Sequence, residues 1–345
     1  MNHTYRLNGN VHAVVDIACA QADLGHDVAV LHRAGSFDDT FQAHNVDLNT
    51  RQNFGSPRSF IGNMIAIDKL IRTFRPDVVH GHMVGSVLSA WAVTRLHRKP
   101  LFATVHNAFE PSAVLMGLAD RVVGVSRVVS ASMAKRGVST SKLRTILNGT
   151  IGSARLPAVL PDPAPLQRPA VLFVGGLHFR KGVPDLLKGV SIARRSRPDI
   201  HLYLVGEGPS GEAYAAAIEE QDRGHIHFEG ATSDPRKYMQ SADVFVLASI
   251  ADPAPLVISE AREAKLAIIA TAVDGIPELL EDGRAGTLIA ANAPEDLAAA
   301  LLDTLGSPEK LAALREKSQT NIEYMSVKRV AQQYIDLYSE YLPSK

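Results

Sequence analysis

Two stretches of this sequence join charge to glycine or proline in ways that suit phosphates and hydroxyls. The first is Val174-Gly175-Gly176-Leu177-His178-Phe179-Arg180-Lys181-Gly182. An apolar run precedes it and an amphipathic one follows, so it reads as a strand–turn–helix. Glycines let backbone N–H groups approach an anion, and a helix start favours negative charge. Two adjacent cations, Arg180 and Lys181, suit a diphosphate. A plain strand–helix turn with solvated charges would use the same residues. The second stretch is Ser249-Ile250-Ala251-Asp252-Pro253-Ala254-Pro255-Leu256-Val257-Ile258-Ser259-Glu260-Ala261. Asp252 lies in the turn, and Pro255 leads into a helix starting at Leu256, where proline is tolerated. Glu260 falls about one turn later, on the face carrying Leu256 and Ala264. A carboxylate among apolar neighbours needs a partner or a ligand. Carboxylates accept paired hydrogen bonds from vicinal hydroxyls such as those of ribose or a hexose. A capping aspartate and a surface glutamate are the plainer reading.

A third group is His80, His82 and His106, each at the end of an apolar run. Three histidines suit zinc, but the chain has one cysteine and lacks His-Glu-x-x-His and a nearby carboxylate triplet. A polar lining is expected, and no metal site.

The elements that must position these residues follow from periodicity. In the first half, helices are predicted over 11–24, 59–74, 86–96 and 128–136. Strands are predicted over 27–32, 77–80, 101–106, 121–126 and 143–147. Pro157, Pro161, Pro163, Pro165 and Pro169 then fall within thirteen residues, an extended linker. The second half restarts with strands over 170–174, 200–205, 225–228, 244–248, 267–271 and 287–289. Its helices are predicted over 183–195, 211–220, 256–264, 276–280 and 294–305, with a short one inside 233–241. An amphipathic helix spans 326–341. Strands alternating with helices predict an α/β fold with parallel sheets.

At 345 residues the chain accommodates two domains. Lys plus Arg equals Asp plus Glu at 36 each, which argues against a dedicated nucleic-acid binder. Cys19 is the single cysteine, so no internal disulfide forms. No apolar run reaches the roughly 18 residues of a membrane span. Met1-Asn2-His3-Thr4-Tyr5-Arg6 has no apolar signal core, and a cytoplasmic location is expected.

Further fragments occur in a telling order. They are Asp77-Val78-Val79-His80-Gly81-His82, Thr104-Val105-His106-Asn107, Ala119-Asp120-Arg121-Val122-Val123-Gly124-Val125-Ser126 and Leu143-Arg144-Thr145-Ile146-Leu147-Asn148-Gly149. The second half adds Phe173-Val174-Gly175-Gly176 with Lys181-Gly182, Leu202-Tyr203-Leu204-Val205-Gly206-Glu207-Gly208 and His227-Phe228-Glu229-Gly230. Ser241-Ala242-Asp243-Val244-Phe245-Val246-Leu247-Ala248-Ser249 and Leu256-Val257-Ile258-Ser259-Glu260-Ala261 complete the set. With this spacing the chain resembles the family 4 glycosyltransferases of the GT-B fold.

The resemblance implies two Rossmann-like domains facing an interdomain cleft. Residues 1–155 would form the acceptor-side domain, 156–168 the linker and 169–325 the nucleotide-sugar donor domain. Residues 326–345 would form a helix crossing back to the first domain. The implied activity is retaining transfer of a hexosyl group from a nucleotide-diphospho-sugar to a glycan or lipid-linked acceptor, in cell-envelope or exopolysaccharide synthesis. No metal, no further cofactor and no nucleic acid are implied. Peripheral contact with the inner face of the cell membrane fits a lipid-linked acceptor.

The catalytic positions carried over are His106, Asp252 and Glu260. The donor would be held by Gly9, Gly176, Arg180, Lys181, Gly206, Gly230, Pro255, Leu256, Val257 and Glu260. Three departures stand out. Asp252 occupies the first position of a signature that has two glutamates, and Glu260 the second. Gly176 stands where many members carry an arginine, a charge Arg180 is expected to supply. At the front, Leu7-Asn8-Gly9-Asn10 comes almost at once, so either the sheet lacks its central first strand or the chain continues upstream. Two other activities stay open, a catalytically impaired nucleotide-sugar-binding protein and a GT-B nucleotide-sugar epimerase.

Overall fold

The computed structural model describes residues 9–32, 35–50 and 57–342. The question of a first strand falls on residues 1–8, outside the described residues. The chain divides into two compact units, Met1–Leu156 with Met325–Lys345, and Pro157–Tyr324.

The first unit opens with α1 (Gly9–Asp23), β1 (Ala29–His32), α2 (Asp38–Ala43), β2 (Asp47–Thr50) and α3 (Pro57–Phe74). It continues with β3 (Val79–Gly81), α4 (Val84–Leu96) and β4 (Leu101–Val105). A 3-10 segment Pro111–Leu118, β5 (Arg121–Gly124), α5 (Arg127–Lys135) and β6 (Leu143–Thr145) follow. Among the described residues its strands form two parallel sheets, β1-β2 and β3-β4-β5-β6. All five residues of β4 are buried, as a parallel strand covered on both faces requires. α5 begins where Ser126 Oγ accepts from Val129 N, an N-cap legible in the sequence. α2 and β2 were not predicted. Asp-Leu-Asn-Thr is a poor strand by propensity, and β2 forms because its register, Ala29↔Asp47 to His32↔Thr50, lies along β1.

The second unit contains β7 (Ala170–Val174), α6 (Val183–Arg194), β8 (His201–Val205), α7 (Gly211–Ala216), β9 (Ile226–Gly230) and α8 (Arg236–Met239). Then come β10 (Val244–Leu247), α9 (Leu256–Glu263), β11 (Ala267–Thr271), α10 (Ile276–Leu279), β12 (Thr287–Ile289), α11 (Pro294–Leu305) and α12 (Pro308–Lys317). The helix predicted over 211–220 ends at Ala216, and a separate 3-10 turn covers Glu220–Asp222. The strands form one parallel sheet in the order β12-β11-β10-β7-β8-β9. The proline-rich stretch lies along this unit, where Ala164 N donates to Lys237 O at 2.8 Å and Gln167 N to the Tyr203 hydroxyl at 2.8 Å.

The chain leaves β7 towards β8 on one side and later returns to β10 on the other. In open parallel sheets ligands bind at such a reversal, here beyond the C-terminal ends of β7 and β10.

The last helix, α13 (Val327–Ser339), belongs to the first unit. Ser326 caps it, accepting from Arg329 N, and Ile151 bridges to Ser326 beside it. Its Val330, Tyr334 and Leu337 share a core with Ile17, Phe102, Val123 and Ile146. No helix among the described residues is long and apolar enough to cross a membrane.

Candidate functional site

The turn after β7 and the loop after β10 are built against each other. Gly182 sits at φ +64°, and a Cβ there would stand 1.7 Å from Ala248 O. Gly206, at φ +144°, would place a Cβ 2.0 Å from Gly175 O. Glycine is therefore required at both positions by backbone contact as well as by conformation. Ile250 N donates to Arg180 O at 2.8 Å, and Thr271 Oγ1 donates to Ser249 O at 2.5 Å. The result is a stitched junction of three strand ends.

Its centre is an ion pair. Lys181 Nζ donates to Asp252 Oδ2 at 2.5 Å, with the two side chains only 19% and 12% exposed. Ser249 Oγ lies 3.4 Å from the same oxygen. Asp252 N donates to Asp274 Oδ2 at 2.7 Å. Asp274 has φ +45°, a left-handed conformation that aspartate tolerates better than most residues. Asp274 and Gly275 form the turn after β11, and the bond from Asp252 N ties that turn to the loop after β10. Replacing Gly182 with alanine should cost about 2–4 kcal/mol of stability, from the left-handed backbone and forced repacking together. A urea melt of Gly182→Ala superimposing on the wild type would rule this out.

The remaining predicted residues of this unit sort by strand end. Gly176 belongs to the turn after β7, and a Cβ there would meet His178 Cδ2 at 3.1 Å. Arg180 is exposed. Gly206 N donates to Gly230 O at 2.8 Å, joining the ends of β8 and β9. Pro255 is the N-cap of α9, and Leu256 and Val257 are its half-buried first residues. Glu260, also half-buried, lies one turn further along. The structure thus gathers Gly176, Arg180, Lys181, Asp252, Pro255, Leu256 and Val257 at the ends of β7 and β10, with Gly206 and Gly230 at the next two strand ends. His178, Ser249 and Asp274 join them without having been singled out.

Gly9 and His106 lie in the other unit. Gly9 is the exposed first residue of α1. His106 follows β4, where its Nε2 lies 3.2 Å from His82 Nδ1. His82 stacks on His80 with ring centroids 4.2 Å apart. His80 Nδ1 lies 2.6 Å from the Tyr338 hydroxyl and Nε2 2.8 Å from Thr104 Oγ1, which lies 2.9 Å from the Tyr334 hydroxyl. Among the described residues no group of three or more His, Cys, Asp or Glu is placed to hold a metal ion.

Burial brings the His106 imidazole down from 6.5 to about 4 and His80 down to about 3. His82 is held well below its usual value by burial, then by its two histidine neighbours. The unfolded chain protonates these rings below pH 6.5, whereas the folded chain resists until about 4 and 3. Stability is therefore undiminished above pH 6.5 and is lost progressively as the pH falls from 6.5 to about 4 for His106 and about 3 for His80, at up to about 1.4 kcal/mol per pH unit for each ring. Chemical denaturation of His106→Gln should show a shallower loss of stability between pH 6.5 and 4 than the wild type. Equal slopes would remove this account.

Comparison with known proteins agrees with this architecture. Residues 7–150 match the family described as Glycosyltransferase Family 4, and residues 168–307 match Glycosyl transferases group 1. A glycosyltransferase of Haemophilus influenzae is 24% identical over 340 residues, covering 94% of this chain and 95% of that protein. A phosphatidyl-myo-inositol mannosyltransferase of Mycobacterium tuberculosis is 28% identical over 255 residues, 70% of this chain and 66% of that one. Among solved structures, Anabaena HepE in complex with UDP and glucose superimposes with a TM-score of 0.78 at 19% identity, covering 96% of each chain.

Proposed function

Because the chain belongs to the family 4 glycosyltransferases and has their GT-B fold, we propose that it is a retaining hexosyltransferase. Its donor is a nucleotide-diphospho-sugar, bound by the second unit, and its acceptor is a glycan or a lipid-linked glycan of cell-envelope or exopolysaccharide synthesis. The observation that carries this reading is the Lys181–Asp252 pair at the switch between β7 and β10. A cation and a hydroxyl-accepting carboxylate stand together there, beside a glycine-rich turn and the N-terminus of α9.

In this reading Lys181, Arg180 and the first N–H groups of α9 take the charge that develops on the departing nucleoside diphosphate. Asp252 orients hydroxyls of the donor sugar, and Glu260 accepts from the ribose. His106 contributes a polar contact on the sugar or acceptor side; its ring, neutral near pH 7, offers a hydrogen bond. The acceptor hydroxyl attacks from the face the leaving group departs. The bond from the anomeric carbon to the diphosphate breaks as the new glycosidic bond forms, and a diphosphate oxygen takes the acceptor's proton. The protein's own cations neutralise the leaving group, so activity survives chelation with EDTA.

A thermal-shift panel of UDP-, GDP- and ADP-hexoses tests the donor reading, since a ligand that binds only the folded state raises the melting temperature. One nucleotide class is expected to stabilise the chain. Release of its nucleoside diphosphate should then require an acceptor glycan. Stabilisation without release would favour a donor-binding protein, and conversion of the donor with no acceptor present would favour an epimerase. No shift with any sugar nucleotide would overturn the reading.

A further inference from the structure

We propose that His178 is a third ligand of the donor diphosphate, one that takes up a proton as the donor binds. This rests on the donor reading above and adds a group to it. His178 sits between the two glycines and the two cations of the turn after β7. Its backbone is extended, at φ −142° and ψ 161°, and is pinned where His178 N donates to Gly176 O and Lys181 N to His178 O, both at 3.0 Å. The ring lies over the turn, with Cδ2 3.1 Å and Nε2 3.4 Å from where a Cβ on Gly176 would be. A side chain at Gly176 would press on the ring, so glycine there leaves the imidazole its place beside the backbone of the turn. Among the described residues neither ring nitrogen has a hydrogen-bond partner. A half-buried imidazole whose nitrogens bond no other protein group, next to Arg180 and Lys181, can turn a donor to a ligand's oxygens.

The charges acting on the ring explain why it would respond to a diphosphate. Burial comes first, then Arg180 and Lys181, and all three hold its pKa below the ordinary 6.5; Asp252, from the loop after β10, pulls the other way. Glu207, on the turn after β8, presents its carboxylate to Ala231 N at 3.4 Å, and Asp274 is engaged with the backbone of Asp252. In the free protein burial and the two cations together outweigh Asp252, and the ring is neutral near pH 7. The diphosphate of a sugar nucleotide carries two negative charges that do not titrate near neutrality. Set against Arg180 and Lys181, it reverses the field on the ring and supplies acceptor oxygens, so the bound complex favours the imidazolium. Binding raises the ring's pKa. The added affinity is therefore complete at the acid end and fades as the pH rises through the value in the complex.

The test is titration calorimetry with UDP-glucose, GDP-mannose and ADP-glucose in turn, at pH 6, 7 and 8, in buffers of different ionisation enthalpy. With the nucleotide that binds, the wild type should take up a fraction of a proton at pH 7. Its affinity should fall by about three- to tenfold between pH 6 and 8, within the tenfold-per-unit limit of one linked proton. His178→Gln should abolish the uptake, lose affinity at pH 6 and match the wild type at pH 8. His178→Lys, a permanent cation, should bind without pH dependence and more tightly than the wild type at pH 8. Proton uptake and pH slope unchanged in His178→Gln would overturn the proposal, as would an equal loss at pH 6 and 8. Failure of all three nucleotides to bind the wild type would overturn the donor reading and this inference with it.

Discussion

Lys181→Ala should weaken donor binding by about a hundredfold, close to 2.7 kcal/mol, as expected for losing a charge-assisted contact in a partly dry site. Two effects combine. The diphosphate loses a cation, and Asp252, only 12% exposed on its side chain, keeps a carboxylate whose short partner is gone. The second effect predicts non-additivity. Lys181→Ala should also lower the melting temperature, and the double variant with Asp252→Asn should recover much of that loss, because the uncompensated charge is then removed. Lys181→Arg keeps the charge but replaces a compact ammonium with a planar fork, and should bind more weakly than the wild type. Calorimetry with the nucleotide chosen by the thermal-shift panel reads all of these. Unchanged affinity in both Lys181→Ala and Glu260→Ala would sink the assignment of the donor site.

Arg262→Ala should be the most destabilising single change in the second unit outside the site itself. Arg262 has no exposed surface. Its Nε donates to Ser318 O at 2.9 Å, Nη1 to Leu279 O at 2.8 Å, and Nη2 to Thr320 O and, at 3.4 Å, to Glu281 Oε1. Its own carbonyl accepts from Gln319 Nε2 at 2.6 Å. One guanidinium thereby ties α9 to α10 and to the turn after α12. Alanine would leave the buried Ser318 and Leu279 carbonyls and the half-buried Thr320 carbonyl without this donor, would leave Glu281 with Arg284 and Asn321 only, and would open a large void, a loss of about 3–5 kcal/mol. Arg262→Lys retains the charge but cannot reach three diverging acceptors, and should recover less than half of it. Urea denaturation measures both, and a midpoint for Arg262→Ala equal to that of the wild type would refute the account. α9 carries Glu260, so donor affinity should fall together with stability even where the protein remains folded.

Much of this was legible without coordinates. Ala170–Val174, Ala267–Thr271 and Thr287–Ile289 were predicted as strands with the bounds observed, and Pro294–Leu305 likewise as a helix. Each is a continuous apolar or amphipathic run closed by glycine, proline or a charged turn. α12 was missed although Ser307-Pro308 announces it, with Ser307 Oγ accepting from Lys310 N; its charged sequence lacks the apolar face that a periodicity reading relies on. The strand–turn–helix setting of the two candidate stretches was legible as well, because glycine and proline after an apolar run mark a turn wherever they occur.

The sequence by itself therefore determined the alternation of strands and helices, the likeness to a known family, and which short stretches join charge to glycine or proline after a strand. Only the tertiary structure decided which residues meet. Lys181 and Asp252 are 71 positions apart, and Asp274 a further 22. They touch because β7 lies beside β10 and β10 beside β11, an order that no local pattern encodes. The same holds for His178 lying over Gly176 and for Arg262 binding the turn after α12. Periodicity is a property of neighbours along the chain, whereas hydrogen bonds and ion pairs form between whatever the packing of the sheet brings within 3 Å.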